Sequence, residues 1–331
     1  MRPPPHIAAL PPWRRFARAA LAVALCAQCA AGARGADEYT LTLPAGGKPA
    51  PGGGTLRLIG NATVLIQYQG LTVLTDPNFL PRGERVHLGW GLSSERLTAP
   101  AAQLGELPRV DLVVLSHLHE DHFDRLVQAN LRRDVPIVTT REAAARLERL
   151  GFTQRYALSR WDSLSVRKGV AQLRVTALPA RHGPRALAWL LPDVMGTMLD
   201  FSAGPLGAAY RIYISGDTLP YDQLGQIPAR FPDIDLALLH LGGMRLLGIK
   251  VSMDAADGVR MLRLLAPQRA IPLHADDYAM FKSPLSDFRR AVGEAGLAPR
   301  VLFLERGETY VLPVGDNADA SARAARNYVR K

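Results

Sequence analysis

The chain has 331 residues, 48% of them hydrophobic and 21% charged, with a formal net charge of +10 at neutral pH. That length and mix suit a soluble globular protein of one large or two small domains, and exclude collagen, a coiled coil and extensive disorder. Both cysteines, Cys26 and Cys29, lie near the N-terminus, so the body of the chain has neither a disulfide nor a thiolate metal ligand.

Residues 1–36 read as a secretory signal peptide. Arg14, Arg15 and Arg18 precede an apolar run from Ala19 to Ala27, and small residues follow at Ala31 and Ala33. The run is too short to anchor the chain across a bilayer. The arginine pair fits a twin-arginine signal only loosely, so an ordinary Sec-type signal is the better description, with cleavage near Ala33 or Ala36. Removing 1–36 takes away five arginines and no acid, so the net charge falls from +10 to +5. With no dense basic run left, nucleic-acid binding is not expected. The mature chain is expected in the periplasm or outside the cell, without a stable membrane span.

Residues 37–55, including the Gly/Pro-rich stretch from Pro44 to Gly54, read as a flexible lead-in. Structure is expected from Leu56. Leu56–Ile59, Thr63–Tyr68 and Leu71–Thr75 are β-rich runs, and Gln69-Gly70 marks a two-residue hairpin turn. Further strands are expected at Leu112–Leu115, Ile137–Thr139, Leu173–Ala177, Ile212–Ser215, Leu236–Leu239, Ala270–Leu273 and Val301–Leu304. Helices are expected at Asp124–Arg132, Arg141–Leu150, Asp254–Leu265 and Pro284–Ala295, each with apolar residues three and four apart. Hairpins followed by strand–helix alternation predict an α/β domain over 56–315, with two mixed sheets and helices outside. Residues 316–331 read as a polar, frayed tail.

The histidines carry the chemistry. Three of eight fall in Ser116-His117-Leu118-His119-Glu120-Asp121-His122-Phe123-Asp124, directly after the apolar run Val113-Val114-Leu115. Two histidines one residue apart at a strand end face the same way, and Asp121 and His122 lie where the chain turns into a helix. Burying these donors together without a cation would be unfavourable, which points to metal. His182, Asp217 and His274 each lie just beyond another expected strand, where α/β sites assemble. Seven ligands suit two ions: three histidines on one, Asp121, His122 and His274 on the other, and Asp217 or a water between them.

The pattern His117-x-His119-x-Asp121-His122, then His182, Asp217 and His274, resembles the metallo-β-lactamase superfamily from about Leu56 to Leu304. Gly60-Asn61-Ala62-Thr63, Leu74-Thr75-Asp76-Pro77 and Ser215-Gly216-Asp217-Thr218 are similar to the branch containing N-acyl-phosphatidylethanolamine phospholipase D and ascorbate-phosphate lactonase. The resemblance implies a four-layer αββα sandwich of two mixed sheets, with two ions, zinc first and iron or manganese as alternatives. Many members of that branch have histidine where this chain has Asn61, which donates a hydrogen bond but shuttles no proton.

The expected chemistry is hydrolysis of an ester, lactone or phosphodiester by a water activated between ions about 3.5–4 Å apart. Asp121 would bind metal and orient that water. Asp76 and Asp124 are candidates for holding the ligand histidines, Asp124 being equally readable as a first-turn helix carboxylate. His240, after another strand, reads as a proton donor facing the pocket or as a core histidine; His87 is assigned nothing. The stretches Leu187–Phe201 and Gly242–Val251 are candidate walls for a small-molecule or lipid-like substrate, or segments of the core. Rival functions are an iron-dependent oxidoreductase on the same fold and a non-catalytic metal-binding module.

Overall fold

The computed structural model describes residues 36–47, 53–89, 91–203, 210–313 and 328–329. The chain runs β1 (Glu38–Leu43), β2 (Gly54–Gly60), β3 (Thr63–Tyr68), β4 (Leu71–Thr75), β5 (Arg85–Gly89), β6 (Leu92–Glu95) and β7 (Leu112–Val114). There follow α1 (Arg125–Asn130), β8 (Ile137–Thr140), α2 (Arg141–Arg149), β9 (Arg155–Leu158), β10 (Ser163–Lys168), β11 (Ala171–Leu178), β12 (Gly196–Ala203) and β13 (Tyr210–Ile214). The last part holds α3 (Gln226–Arg230), β14 (Leu236–His240), β15 (Arg245–Leu246), β16 (Ile249–Lys250), α4 (Ala255–Leu265), β17 (Arg269–Leu273), α5 (Leu285–Glu294), β18 (Thr309–Val311) and β19 (Tyr328–Val329).

Period-two side chains explain how these strands stack. In β11, Ala171, Leu173, Val175 and Ala177 face one core; in β3, Val64, Ile66 and Tyr68 face the same core from the other sheet. The intervening residues face outward onto helices. Tyr213, Ala237 and Leu239 meet Val259, Met261 and Leu262 of α4 and Phe288 of α5. Leu65, Leu74 and Val113 meet Val127 of α1 and Leu147 of α2. The result is the expected αββα order. Among the described residues one sheet runs β1-β10-β11-β12-β13-β14-β17 and the other β19-β18-β2-β3-β4-β7-β8-β9, both with parallel and antiparallel neighbours.

The hairpin at Gln69-Gly70 forms as expected. Both residues have positive φ, 46° and 84°, matching the twist of β3 and β4. All four expected helices are present, shortened by one to three residues. Four expectations need correction. The lead-in is not wholly flexible: β1 pairs in parallel with β10 from Glu38↔Ser163 to Leu43↔Lys168, because Tyr39 and Leu41 alternate with polar residues and pack on the inter-sheet core. Residues 301–304 are not a strand; Val301 makes an isolated bridge to Ala270, and Leu302 N–H donates to the same residue's carbonyl (2.8 Å), so the contact stays at one residue of β17. Strands β9, β10 and β12 went unread because Arg, Ser and Thr interrupt their apolar runs. In the tail, Tyr328–Val329 pairs with β18, and the rest of 316–331 lies outside the described residues, as do residues 1–35 of the expected signal.

Candidate metal centre

Each expected ligand follows the carboxyl end of a strand. β7 leads into Ser116–His122, β11 into His182, β13 into Asp217 and β17 into His274. Because β13, β14 and β17 are parallel, their ends open on one edge of the sheet, and β4 and β7 do the same in the other sheet. The cleft between the two edges gathers side chains up to 157 positions apart in sequence. Two of the junctions take backbone that ordinary residues avoid: Asp76 has φ of 34° and His274 of 59°.

The donor atoms form two adjoining sets. In the first, His117, His119 and His182 lie with ligand atoms within 4.8 Å of one another, and His117 Nε2 is 3.0 Å from His119 Nδ1. In the second, His274 Nε2 is 3.1 Å from both His122 Nε2 and Asp121 Oδ2. Asp217 stands between them, with Oδ1 3.6 Å from His122 Nε2 and Oδ2 4.0 Å from His182 Nε2. All seven side chains are buried except His119, which is partly exposed to a cleft.

Surrounding groups orient the rings. Asp76 accepts from Ser116 N–H (2.7 Å) and Ser116 Oγ (2.9 Å), and its Oδ2 is 3.2 Å from His122 Nδ1. Ser116 Oγ in turn lies 3.0 Å from His117 Nδ1. The Val251 carbonyl, 2.8 Å from His182 Nδ1, and the Leu241 carbonyl, 3.4 Å from His274 Nδ1, accept from those nitrogens. Each such bond leaves the ring's Nε2 lone pair aimed at the centre. Asn61 joins two ligand loops, donating through Nδ2 to the Asp121 carbonyl (2.8 Å) while its own carbonyl accepts from His274 N–H (3.2 Å).

Sequence reasoning missed Ser116 and the Val251 and Leu241 carbonyls. Ser116 stood beside the first histidine and was findable; backbone acceptors leave no mark in a side-chain pattern. Asp124 does not support a histidine. It caps α1, accepting from Val127 N–H (2.8 Å), and binds the backbone N–H groups of Leu80 (2.9 Å) and Phe79. Its oxygens are spent on backbone donors. His240 is fully buried, with Nδ1 3.4 Å from Asp217 Oδ1. His87 sits in the wall of the open cleft, away from both donor sets. The candidate walls divide: Met195 and Met198 belong to the core, whereas Trp189, Leu191, Met244 and Leu246 line the cleft.

Electrostatics favour a cation. Burial holds His117 well below its ordinary pKa, drives His119 down to about 3 with help from His182, and lowers His182. These rings are neutral donors at physiological pH. Burial also opposes charge on His122, but Asp121, Asp217 and Asp76 outweigh it and push that pKa well up. His274 is raised against burial by Asp217 and Asp121. Burial works against ionising Asp121 and Asp217, yet the adjacent His122 and His274 hold Asp121 at about 2 and keep Asp217 well below the usual carboxylate value. Among the described residues, Asp121 Oδ1, His182 Nε2, Asp217 Oδ1 and both nitrogens of His240 are buried without hydrogen-bond partners. Imidazole nitrogens gathered 3.1 Å apart and orphaned carboxylate oxygens are a donor set that a metal ion satisfies on displacing protons.

Known proteins share this framework. An uncharacterized protein of Mycobacterium tuberculosis is 31% identical over 205 residues, 61% of this chain and 52% of that protein; the chain thus spans about half the length of this relative. A metal-dependent hydrolase of Cupriavidus metallidurans is 27% identical over 258 residues, 75% of this chain and 84% of the relative. Among solved structures, an isothiocyanate hydrolase from Delia radicum gut bacteria is 24% identical, with a TM-score of 0.67 over 78% of this chain and 99% of that one. Residues 72–275 match the family model of the β-lactamase superfamily domain. That span carries all seven candidate ligands, and the chain belongs to the metallo-β-lactamase-fold superfamily.

Proposed function

We propose that the protein is a hydrolase that uses two metal ions, zinc by preference, to cleave an ester, lactone or phosphodiester bond. The observation that carries this is the pair of adjoining donor sets sharing Asp217, of which one member, His119, meets an open cleft. When bound, such ions supply an acidified water at neutral pH and polarise the bond under attack. His117, His119 and His182 would hold one ion, and Asp121, His122 and His274 the other. His and carboxylate donors without thiolate suit zinc, but also iron or manganese.

The chain's own residues prepare the site. Asp76 and Ser116 fix the imidazoles of His122 and His117, so the donors need not reorganise during reaction. Asp121 has one oxygen beside His274 and the other, Oδ1, unpartnered; the free oxygen accepts a proton from water and sets its direction. Asn61 grips the backbone of Asp121 and takes the place of a proton-carrying residue without carrying a proton. His240, fully buried 3.4 Å from Asp217, packs behind that carboxylate rather than meeting substrate.

The test is metal analysis of purified protein, followed by assay of metal-free, zinc-reloaded and Asp121→Ala enzyme. Substrates are bis-aryl phosphodiesters, phospholipids, lactones, β-lactams and, in view of the solved hydrolase named above, isothiocyanates. Activity restored by zinc and lost in the variant supports the reading. Full activity without metal refutes it, and iron with visible absorbance moves the protein to oxidoreductase chemistry. The export assignment of residues 1–36 belongs to the same proposal, and N-terminal sequencing of protein from a periplasmic fraction checks it.

A further inference from the structure

His119 opens onto a cleft of about 910 Å³, within the size range of small-molecule sites. Leu92, Trp189, Leu191 and Met244 supply apolar surface, and Trp189 is 78% exposed and Leu92 41% exposed. The charged residues lining it are Arg125, Arg146, Arg149, Glu120 and Glu142. Three of these are occupied: Arg125 pairs with Glu84 and with Glu120 (3.4 Å), Glu120 also takes the His87 N–H, and Glu142 accepts from Asp193 N–H at 2.8 Å. Arg146 and Arg149, in the last turn of α2, are exposed and have no side-chain partner among the described residues.

We propose that Arg146 and Arg149 bind the anionic end of an amphipathic small molecule. Its apolar body lies along Trp189 and Leu191, and its reacting bond sits at the His119 end of the cleft. This rests on the hydrolase reading for the reaction, but not for binding. A guanidinium presents a planar fork of donors that matches carboxylate or phosphate oxygens. An entirely apolar ligand would leave both guanidinium groups unused, and a small polar one would leave Trp189 and Leu92 in water.

The experiment compares octanoate, octyl phosphate and octanol by calorimetry at monomeric concentrations, in wild type and R146Q/R149Q. The two anions should bind in preference to octanol, and the double variant should reduce that preference about tenfold, as expected for two exposed charge pairs. Carboxylate and phosphate preference identifies the anion. Turnover supplies a second readout: the ratio of kcat/KM for mono-4-nitrophenyl suberate to that for 4-nitrophenyl octanoate should fall by a similar factor in the variant. Equal binding of octanol and the anions, or an unchanged ratio, overturns the proposal. Arginine-dependent sedimentation with phosphatidylglycerol vesicles, without binding of the free anions, overturns it in favour of a membrane surface. Anion-selective binding without turnover of any ester removes the ester-cleaving reading alone; turnover without selectivity removes the anion site alone. Thermal melting of the variant shows that both comparisons are made on folded protein.

Discussion

Among single residues, Asp76 shows how far the site extends beyond its ligands. One carboxylate receives both donors of Ser116 and faces His122, so it steadies two ligand histidines through one buried group. Asp76→Ala is expected to weaken metal binding about 10- to 100-fold, measured by competition with a chromogenic chelator. Gly216 is confined in another way. Its φ is +58°, and a Cβ there would lie 2.7 Å from the Met195 carbonyl and 3.2 Å from Ser116 Cβ. Gly216→Ala should destabilise the fold by about 1–3 kcal/mol in denaturant unfolding and disturb Asp217 beside it. Neither role can be extracted from a lone aspartate or glycine in a string, because each depends on what approaches from elsewhere in the chain. Asn61 is similar: its departure from the branch's usual histidine was legible, but its grip on the Asp121 carbonyl was not.

At the level of elements, Asp124 separates stability from catalysis. Its carboxylate caps α1 and ties down the segment after β4 through Phe79 and Leu80. Asp124→Ala should therefore lower stability by about 1–2 kcal/mol, with metal stoichiometry unchanged. A loss of one metal ion without loss of stability would reverse that assignment. Elements with clean periodicity were readable in advance, such as α2, with Ala143, Ala144 and Leu147 on its buried face. β1 was hidden by its Gly/Pro-rich surroundings and β10 by its polar residues. Edge and solvent-facing strands owe their pairing to neighbours more than to their own composition.

For the molecule as a whole, the buried imidazoles make stability depend on pH and metal together. His117, His119, His182 and His240 have folded pKa values below 6.5 through burial. Below about pH 6.5 the unfolded chain takes up protons that these folded groups refuse, so the metal-free protein loses stability as pH falls. Asp121 and Asp217, held below 3.8 by neighbouring histidines, add a further loss as pH drops through their folded values. His122 and His274, raised above 6.5, act oppositely: their contribution is present below 6.5 and fades as pH rises through their folded values. Four lowered histidines against two raised ones predict net acid destabilisation, visible as a falling Tm of the metal-free protein from about pH 7 to 5. Metal binding must displace protons from His122 and His274, so affinity should rise with pH above 6.5, as titration calorimetry in buffers of different ionisation enthalpy would show.

What the sequence determined by itself was the set of candidate ligands, the alternation of strands and helices, and the position of each candidate beyond a strand. Those features are local, set by side-chain chemistry and short-range periodicity. Tertiary structure decided which atoms meet: that Asp217 stands between two donor sets, that Asp76 rather than Asp124 supports a histidine, and that Arg146 and Arg149 share a cleft with His119. The reason is that strand order and register, not sequence distance, set which loops share the edge of a sandwich. That order emerges only when two faces of apolar residues are buried against each other.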